Sequence, residues 1–353
     1  MESKSFVCIV GTVGIPACYG GFESLVENLT RFKSENINYS VFCSSHAYPE
    51  KKASHNGAEL VYLPLNANGI QSILYDILSM IKCWRLKPDT VLILGVSGCL
   101  FLPIFKLFSK AKIVTNIDGL EWKRDKWGQW AKKFLKWSEA VAVKYSDVII
   151  TDNKAIGEYV ENEYGKQSVT IAYGGDHAIR DTKITNDESG YALGLCRIEP
   201  ENNVHVILDA FSLVNYRLKF IGNWNASCFG KELKNKYSSN KNIELIDPIY
   251  DLDELYKIRK NCFVYLHGHS AGGTNPSLVE MMHFGVPIVA FDCSFNQFST
   301  EHKASYFTKS SDLVSLINEM SDDKLSENGA AMLEIAKRRY TWKEITRLYE
   351  ATY

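Results

Sequence analysis

Two doubly wound α/β domains, one after the other, are the fold class this sequence predicts. Three observations carry it. Short runs rich in β-branched and aromatic residues alternate along the chain with longer stretches of helical apolar spacing. Several of those runs end in glycines that open directly into a helix. The chain of 353 residues is also long for a single hydrophobic core. Alternation at this rhythm means parallel sheets wrapped by helices.

In order, Phe6-Val7-Cys8-Ile9-Val10 is a buried strand that runs into Gly11-Thr12-Val13-Gly14-Ile15-Pro16, a loop too irregular for a dinucleotide fingerprint. Tyr19-Gly20-Gly21-Phe22-Glu23 then opens a helix with apolar Phe22, Leu25, Val26, Leu29 and Phe32. Strands follow at residues 39–43 and 59–63, then a helix expected to turn Ile73, Leu74, Ile77, Leu78 and Ile81 inward. Pro88-Asp89 precedes a strand at 90–94, and another at 112–117 ends at Asp118-Gly119. Further strands fall at 148–151 and 169–172, with helices between.

Gly174-Gly175-Asp176 and the polar stretch to Gly190 form the best domain boundary. A second alternation follows: strand 191–196, helix 204–213, strand 217–221, helix 231–237, strand 243–246, helix 252–259. Helices at about 312–320, 324–338 and 342–353 finish the chain. The expected organisation is an N-terminal domain, residues 1–175, a C-terminal domain, residues 176–340, and a terminal helix, residues 341–353. Ligands of such sheets bind where the carboxyl ends of the strands deliver loops, here to a cleft between the domains.

The most informative stretch is residues 262–292. Phe263-Val264-Tyr265-Leu266 reads as a buried strand, and Gly268, Gly272 and Gly273 let the backbone turn and approach a ligand. Asn275 is a good helix N-cap and Pro276 suits the first helical position. Leu278, Val279 and Met282 point inward, and Gly285 with Pro287 stops the helix before a strand at 288–291. Backbone N–H groups and the positive end of the helix then converge on one anion site. Glu280, one turn in, leans toward the same spot, where a carboxylate would meet a sugar hydroxyl. A phosphate site with such a carboxylate is a nucleotide site. The loop at Gly20 and Gly21 is a second candidate of the same kind.

Composition narrows the function. The net charge of −1 provides no field to draw nucleic acid. Nine cysteines, an odd number without zinc-finger spacing, read as reduced thiols of a cytoplasmic protein. The opening Met1-Glu2-Ser3-Lys4 leads straight to a strand rather than to a signal peptide, and no apolar run approaches the roughly 18 residues of a membrane span. The expectation is a cytoplasmic protein, at most peripheral on the inner face of the cell membrane.

Four motifs, GTVGIPACYGGFE (11–23), IDGLEWKRDKWG (117–128), LCRIEPENN (195–203) and HGHSAGGTNPSLVE (267–280), together resemble the bacterial rhamnosyltransferase-like branch of the family 4 glycosyltransferases. The resemblance implies a GT-B fold of two Rossmann-like domains, with the nucleotide sugar on the C-terminal domain and the acceptor on the N-terminal one. It implies that the terminal helix crosses back to the N-terminal domain. By position, Glu280 resembles the glutamate that binds the nucleotide ribose, and Arg197 the arginine on the diphosphate. The backbone of Gly273, Thr274 and Asn275, with Leu278 next along the helix, would lie in the donor site, and His269 would line the sugar. Gly20 and Gly21 match the N-terminal glycine loop that meets the diphosphate or acceptor, and Asp118 the polar residue close to the anomeric carbon. Two positions depart from the broader family: Asn202 stands where it has a lysine, five residues after the arginine, and Gly272 where it has a glutamate, eight before the ribose glutamate. Both suit the branch, and both leave those two roles open.

Plainer readings exist for each residue. Asp118 could be a strand-end turn residue, Arg197 a surface ion pair and Glu280 a solvated helix residue. His267 and His269 could be metal ligands, although backbone-bonded loop histidines are the better reading. Asp251-Leu252-Asp253 imitates a metal-binding Asp-x-Asp, but it falls at a helix start, where Asp caps. Residues 99–112 and 121–137 mix Trp, Phe and Lys/Arg, which suits either an anionic membrane surface or ordinary core faces with solvated lysines. No paired carboxylates suggest glycosidase chemistry. The leading expectation is a retaining, metal-independent glycosyltransferase without a cofactor. It would move L-rhamnose from dTDP-β-L-rhamnose to a saccharide acceptor, lipid-linked through polyprenyl diphosphate, in surface-polysaccharide or O-antigen assembly. The alternatives are another donor, such as a UDP-hexose, and an inactive nucleotide- or sugar-binding module.

Overall fold

A computed structural model describes residues 4–18, 20–123, 128–181 and 189–353. Tyr19 of the first glycine loop, residues 124–127 of the IDGLEWKRDKWG motif and of the aromatic–basic stretch, and residues 182–188 of the polar boundary lie outside the described residues. The chain forms two compact units, Met1–Ala172 with Trp342–Tyr353, and Tyr173–Thr341.

The first unit contains β1 (Ser5–Val10), α1 (Gly21–Phe32), β2 (Ile37–Ser44), β3 (Ser54–His55), β4 (Ala58–Leu63), α2 (Gln71–Leu86) and β5 (Thr90–Leu94). It continues with α3 (Leu102–Phe108), β6 (Lys112–Asn116), α4 (Gln129–Tyr145), β7 (Val148–Thr151), α5 (Lys154–Tyr164) and β8 (Val169–Thr170). The sheet order is β3-β4-β2-β1-β5-β6-β7-β8, parallel except for the short β3–β4 hairpin. Central β1 buries Val7, Cys8, Ile9 and Val10 completely, as an unbroken apolar run does when helices cover both sheet faces.

Two helix faces differ from expectation. On α2 the buried side chains are Tyr75, Asp76, Ser79, Met80 and Cys83, while Leu74 and Leu78 are 58 % and 40 % exposed. Tyr75, Ser79 and Cys83 repeat at the same helical period as Leu74 and Leu78, so spacing offers two stripes and does not choose between them. Tertiary hydrogen bonds choose. Tyr75 donates to the Thr12 carbonyl (3.0 Å), and Asp76 accepts from the Gly98 N–H (3.1 Å). On α1, Leu25, Val26 and Leu29 are buried as expected, but Phe32 is exposed under the Arg31 guanidinium and Phe22 is half-buried. The strand expected at 169–172 shortens to β8, and β3 and α3 arise in stretches that the sequence pattern left undivided.

The second unit contains β9 (Tyr191–Leu195), α6 (Val204–Phe211), β10 (Arg217–Ile221), α7 (Cys228–Tyr237), β11 (Ile243–Ile246), α8 (Leu252–Asn261) and β12 (Val264–His267). It closes with α9 (Pro276–Met282), β13 (Ile288–Phe291), α10 (Ser294–Ser299), β14 (Ser305–Phe307), α11 (Ser310–Asn318) and α12 (Asp322–Arg339). Its parallel sheet runs β11-β10-β9-β12-β13-β14. In each unit the first strand is flanked by one strand from each direction of travel, β2 and β5 about β1, and β10 and β12 about β9. Those are the switch points where open α/β sheets leave a crevice.

The last helix, α13 (Trp342–Glu350), belongs to the first unit and packs against α1. Trp342, Ile345 and Tyr349 are each 1 % exposed. Glu350 accepts from the Ser34 N–H (2.8 Å), and Tyr349 accepts from the Asn116 amide (2.7 Å) at the end of β6.

Candidate functional site

At the switch point of the second unit two sequence motifs are stapled together. The turn after β9 carries Arg197 and Asn202; the loop after β12 carries residues 268–275. Asn203, in the left-handed region at φ 48°, donates from its amide to the Gly268 carbonyl (2.9 Å). Ser270 donates to the Glu201 carbonyl through N–H (3.0 Å) and hydroxyl (2.8 Å). Asn202 is 1 % exposed and donates to the Arg197 carbonyl (2.7 Å). It therefore shapes the turn from which Arg197 projects, and its side-chain amide is already engaged. Arg197 itself is half exposed, 3.5 Å from Glu199.

Glu280 lies on α9, the helix that follows the second of these loops. Asn275 caps the helix by accepting from the Ser277 N–H (3.0 Å), and Pro276 begins it, as the sequence predicts. Leu278 is fully buried beneath, its N–H donating to the Asn275 carbonyl (3.1 Å). The Glu280 side chain is only 14 % exposed, and two side chains reach it: Arg259 from the end of α8 (2.5 Å) and His177 (3.3 Å). Burial pushes the Glu280 carboxyl up, but the Arg259 charge and the His177 contact prevail and hold it below the usual range. Glu280 is an ionised carboxylate on the helix that follows the glycine loop. His177 comes from the turn Asp176–Ala178, which lies flush on α9 because Gly175 has no side chain: a Cβ there would fall 2.6 Å from the Val279 carbonyl carbon.

Sequence reasoning missed Arg259 and His177. Arg259 lies on a different helix and His177 at the domain boundary, and no local spacing joins either to Glu280. Arg259 is 7 % exposed, and among the described residues its Nε has no hydrogen-bond partner.

The loop histidines are stacked, ring centroids 4.6 Å apart at 14°. His267 is 1 % exposed, and burial, then the charge of His269, push its ring well below the ordinary range, so it is neutral. The His269 carbonyl accepts from Asn296 (2.8 Å), which holds the loop against α10. Thr274 is buried, while Gly273 is half-buried at the crevice.

In the first unit Gly20, Gly21 and Asp118 all lie at the carboxyl edge of the sheet, after β1 and β6. Gly20 has φ 106° and ψ 163°, a region closed to other residues, and a Cβ would strike the Glu23 carboxylate. Glu23, 6 % exposed, accepts from the Thr12 hydroxyl (2.9 Å) and the Val13 N–H (2.7 Å), so it braces the glycine loop from inside. Asp118 adopts φ 61°, rare for a residue with a side chain, and its N–H donates to Asn116 Oδ1 (2.9 Å).

Asp251 caps α8, accepting from the Asp253 and Glu254 N–H groups (2.9 Å each), and Asp253 pairs with Arg180. Both roles are structural. A groove of about 430 Å³ lined by Phe263, Pro287 and Leu333 lies at the opposite, amino edge of the second sheet, away from these groups.

Residues 176–339 match the family model described as glycosyl transferases group 1, and residues 4–176 match a domain of unknown function. No curated protein matches the sequence. Among solved structures the chain resembles sucrose-phosphate synthase from Thermosynechococcus elongatus, with 12 % identity, a TM-score of 0.79 and 99 % of each chain covered. HepE from Anabaena in complex with UDP-glucose aligns at 13 % identity and a TM-score of 0.72, covering 98 % of each chain. The catalytic domain of starch synthase IV from Arabidopsis thaliana, bound to ADP and acarbose, aligns at 11 % and 0.74, covering 99 % of each. At such identities these likenesses speak for the fold, which is GT-B, and within it residues 176–339 are a group 1 glycosyl transferase domain.

Proposed function

We propose that this protein is a retaining glycosyltransferase that uses a nucleotide-diphosphate sugar, with dTDP-β-L-rhamnose as donor. The observation that carries the reading is the ionised, nearly buried Glu280 at the glycine-loop switch point. In this reading the carboxylate takes the ribose hydroxyls. Arg197 and the backbone of Gly273, Thr274 and Asn275 hold the diphosphate, and His269 lines the sugar. Neither Asn202 nor Gly272 supplies charge. The acceptor is a saccharide on polyprenyl diphosphate, and the product extends a surface polysaccharide or O-antigen unit.

In the transfer step the bond from the anomeric carbon to the diphosphate oxygen breaks, and the bond to the acceptor oxygen forms on the same face. The acceptor proton passes to the departing phosphate. Charge building on the diphosphate is stabilised by Arg197 and fixed backbone dipoles, the arrangement that most lowers such barriers; one such donor typically contributes about 10²–10³ in rate. No metal takes part in this scheme. On the first unit this reading assigns roles to Asp118 and to the Gly20–Gly21 backbone, at the carboxyl edge of the sheet.

The solved relatives named above favour a second donor. HepE is in complex with UDP-glucose and starch synthase IV is bound to ADP, so a UDP- or ADP-hexose is the competing substrate. A thermal-shift series with dTDP, UDP, ADP, GDP and their sugars, in EDTA, separates the two, because a ligand that binds the native state raises Tm. Stabilisation by dTDP species alone supports the rhamnose donor. Stabilisation by UDP or ADP species alone overturns it and leaves the transferase reading. A shift that appears only after Mg²⁺ is restored removes the metal-independent scheme. Nucleotide binding without turnover on any acceptor would make the chain a binding module.

A further inference from the structure

Helices α2, α3 and α4 follow β4, β5 and β6, and each crossover steps in the same direction across the sheet. Right-handed connections therefore lay all three on one sheet face, side by side. Trp84 of α2 joins the first two, its ring 5.9 Å from Phe105 and 5.5 Å from Phe108. Lys106 of α3 reaches Asp147 just past α4 (2.7 Å). With their inner faces on the sheet, the outer faces form one surface.

That surface is unusually apolar for one facing water. Ile70 and Leu74 at the start of α2 are 89 % and 58 % exposed, Leu107 and Phe108 of α3 are 76 % and 71 %, and Trp130 and Trp137 of α4 are 85 % and 63 %. The charge that the three helices themselves present is basic, and Asp147 just past α4, though exposed, is paired with Lys106. The two carboxylates of these helices, Asp76 and Glu139, are each 2 % exposed, so none of the described residues of α2, α3 or α4 presents an acid to solvent. The exposed charges are Lys82, Arg85, Lys133 and Lys144, and the Lys133 ammonium lies 5.5 Å from the Trp130 ring centre. Large exposed apolar areas mark interaction surfaces. Tryptophan with lysine around aliphatic side chains fits the boundary between an anionic headgroup layer and acyl chains. A second copy of the chain fits poorly, since a two-fold contact would press lysine against lysine.

We propose that the outer face of α2, α3 and α4 docks on an anionic lipid bilayer. Ile70 and Trp130 sit at helix N-termini, the carboxyl edge of the sheet that also carries Gly20, Gly21 and Asp118. Docking thus holds those loops at the headgroups, where a diphosphate on a lipid anchor would sit; this last point rests on the lipid-linked acceptor proposed above.

The test is co-sedimentation of the full chain with phosphatidylcholine vesicles, with and without phosphatidylglycerol, plus transfer assayed on a water-soluble acceptor. Binding should require phosphatidylglycerol, weaken with salt, and fall about fivefold in Lys133→Gln for the lost cation. The pair Leu107→Glu and Trp130→Glu should abolish it while keeping the parent Tm and the transfer rate on the soluble acceptor. Binding that ignores phosphatidylglycerol, or survives the paired substitution, overturns the proposal. So does a concentration-dependent dimer in ultracentrifugation that Trp130→Glu dissolves, because the face would then belong to a second copy. Intact transfer without vesicle binding sinks docking alone. Vesicle binding without transfer on any acceptor sinks the transferase reading and leaves docking in place.

Discussion

Glu280 shows how one residue can be both buried and charged. Its carboxylate survives burial because Arg259 and His177 meet its two oxygens. Glu280→Gln should raise donor KM roughly ten- to hundredfold, the equivalent of about 1.5–3 kcal/mol for a hydrogen bond to a charged group. A purely structural pair would lower Tm and leave KM alone. Asp76 is the opposite case. Burial pushes its carboxyl from the ordinary 3.8 up to about 8, with only the Gly98 N–H drawing it back. The folded chain therefore keeps a proton that the unfolded chain has released. Between those two values stability falls as pH rises, by up to about 1.4 kcal/mol per pH unit, and it is greatest below them. Denaturant titrations from pH 4 to 8, approximately this window, should show that decline in the parent and a flatter profile in Asp76→Asn. Equal profiles would mean that Asp76 is ionised in the fold.

At the scale of elements, helix starts separate structure from chemistry. Asp251 looks like the first member of a metal motif, yet it accepts two N–H groups at the start of α8. Asp251→Ala should cost about 1 kcal/mol of stability, as a lost cap does, with kcat unchanged. A collapse of kcat at an unchanged Tm would restore the metal reading. The turn that delivers His177 depends on Gly175 lying against α9. Gly175→Ala should push that turn off the helix, weakening nucleotide binding in the thermal-shift series although Gly175 itself bears no functional group. Binding equal to the parent would show that His177 has no part in holding Glu280.

At the scale of the whole molecule, the last helix completes the first unit rather than the second. Trp342, Ile345 and Tyr349 are buried there, and at about 1.5–3 kcal/mol for each large apolar side chain their removal takes away several kcal/mol. Truncation after Thr341 should therefore expose the first unit to limited proteolysis while the second remains resistant. Equal resistance of both would mean that α13 is dispensable to its unit.

Much of this was legible along the chain. The strand–helix alternation, the glycine loops after β1 and β12, the Asn275–Pro276 helix start and the Asp251 cap are local matters, decided by periodicity and backbone conformational preference within a few residues. The sequence by itself determined those elements and placed Glu280 one turn into a helix and Arg197 just past a strand end. It did not decide which stripe of α2 faces inward, because Leu74 and Leu78 repeat at the same helical period as Tyr75, Ser79 and Cys83; Thr12 and Gly98, far away in sequence, make the choice. Nor did it announce Arg259 and His177 as partners of Glu280. Ion pairs and close backbone approaches join residues that only the sheet order brings together, and no spacing rule spans that distance. The sequence set the elements and the tertiary structure set their faces and partners, because backbone preference acts over neighbours while desolvation acts on whatever the fold buries.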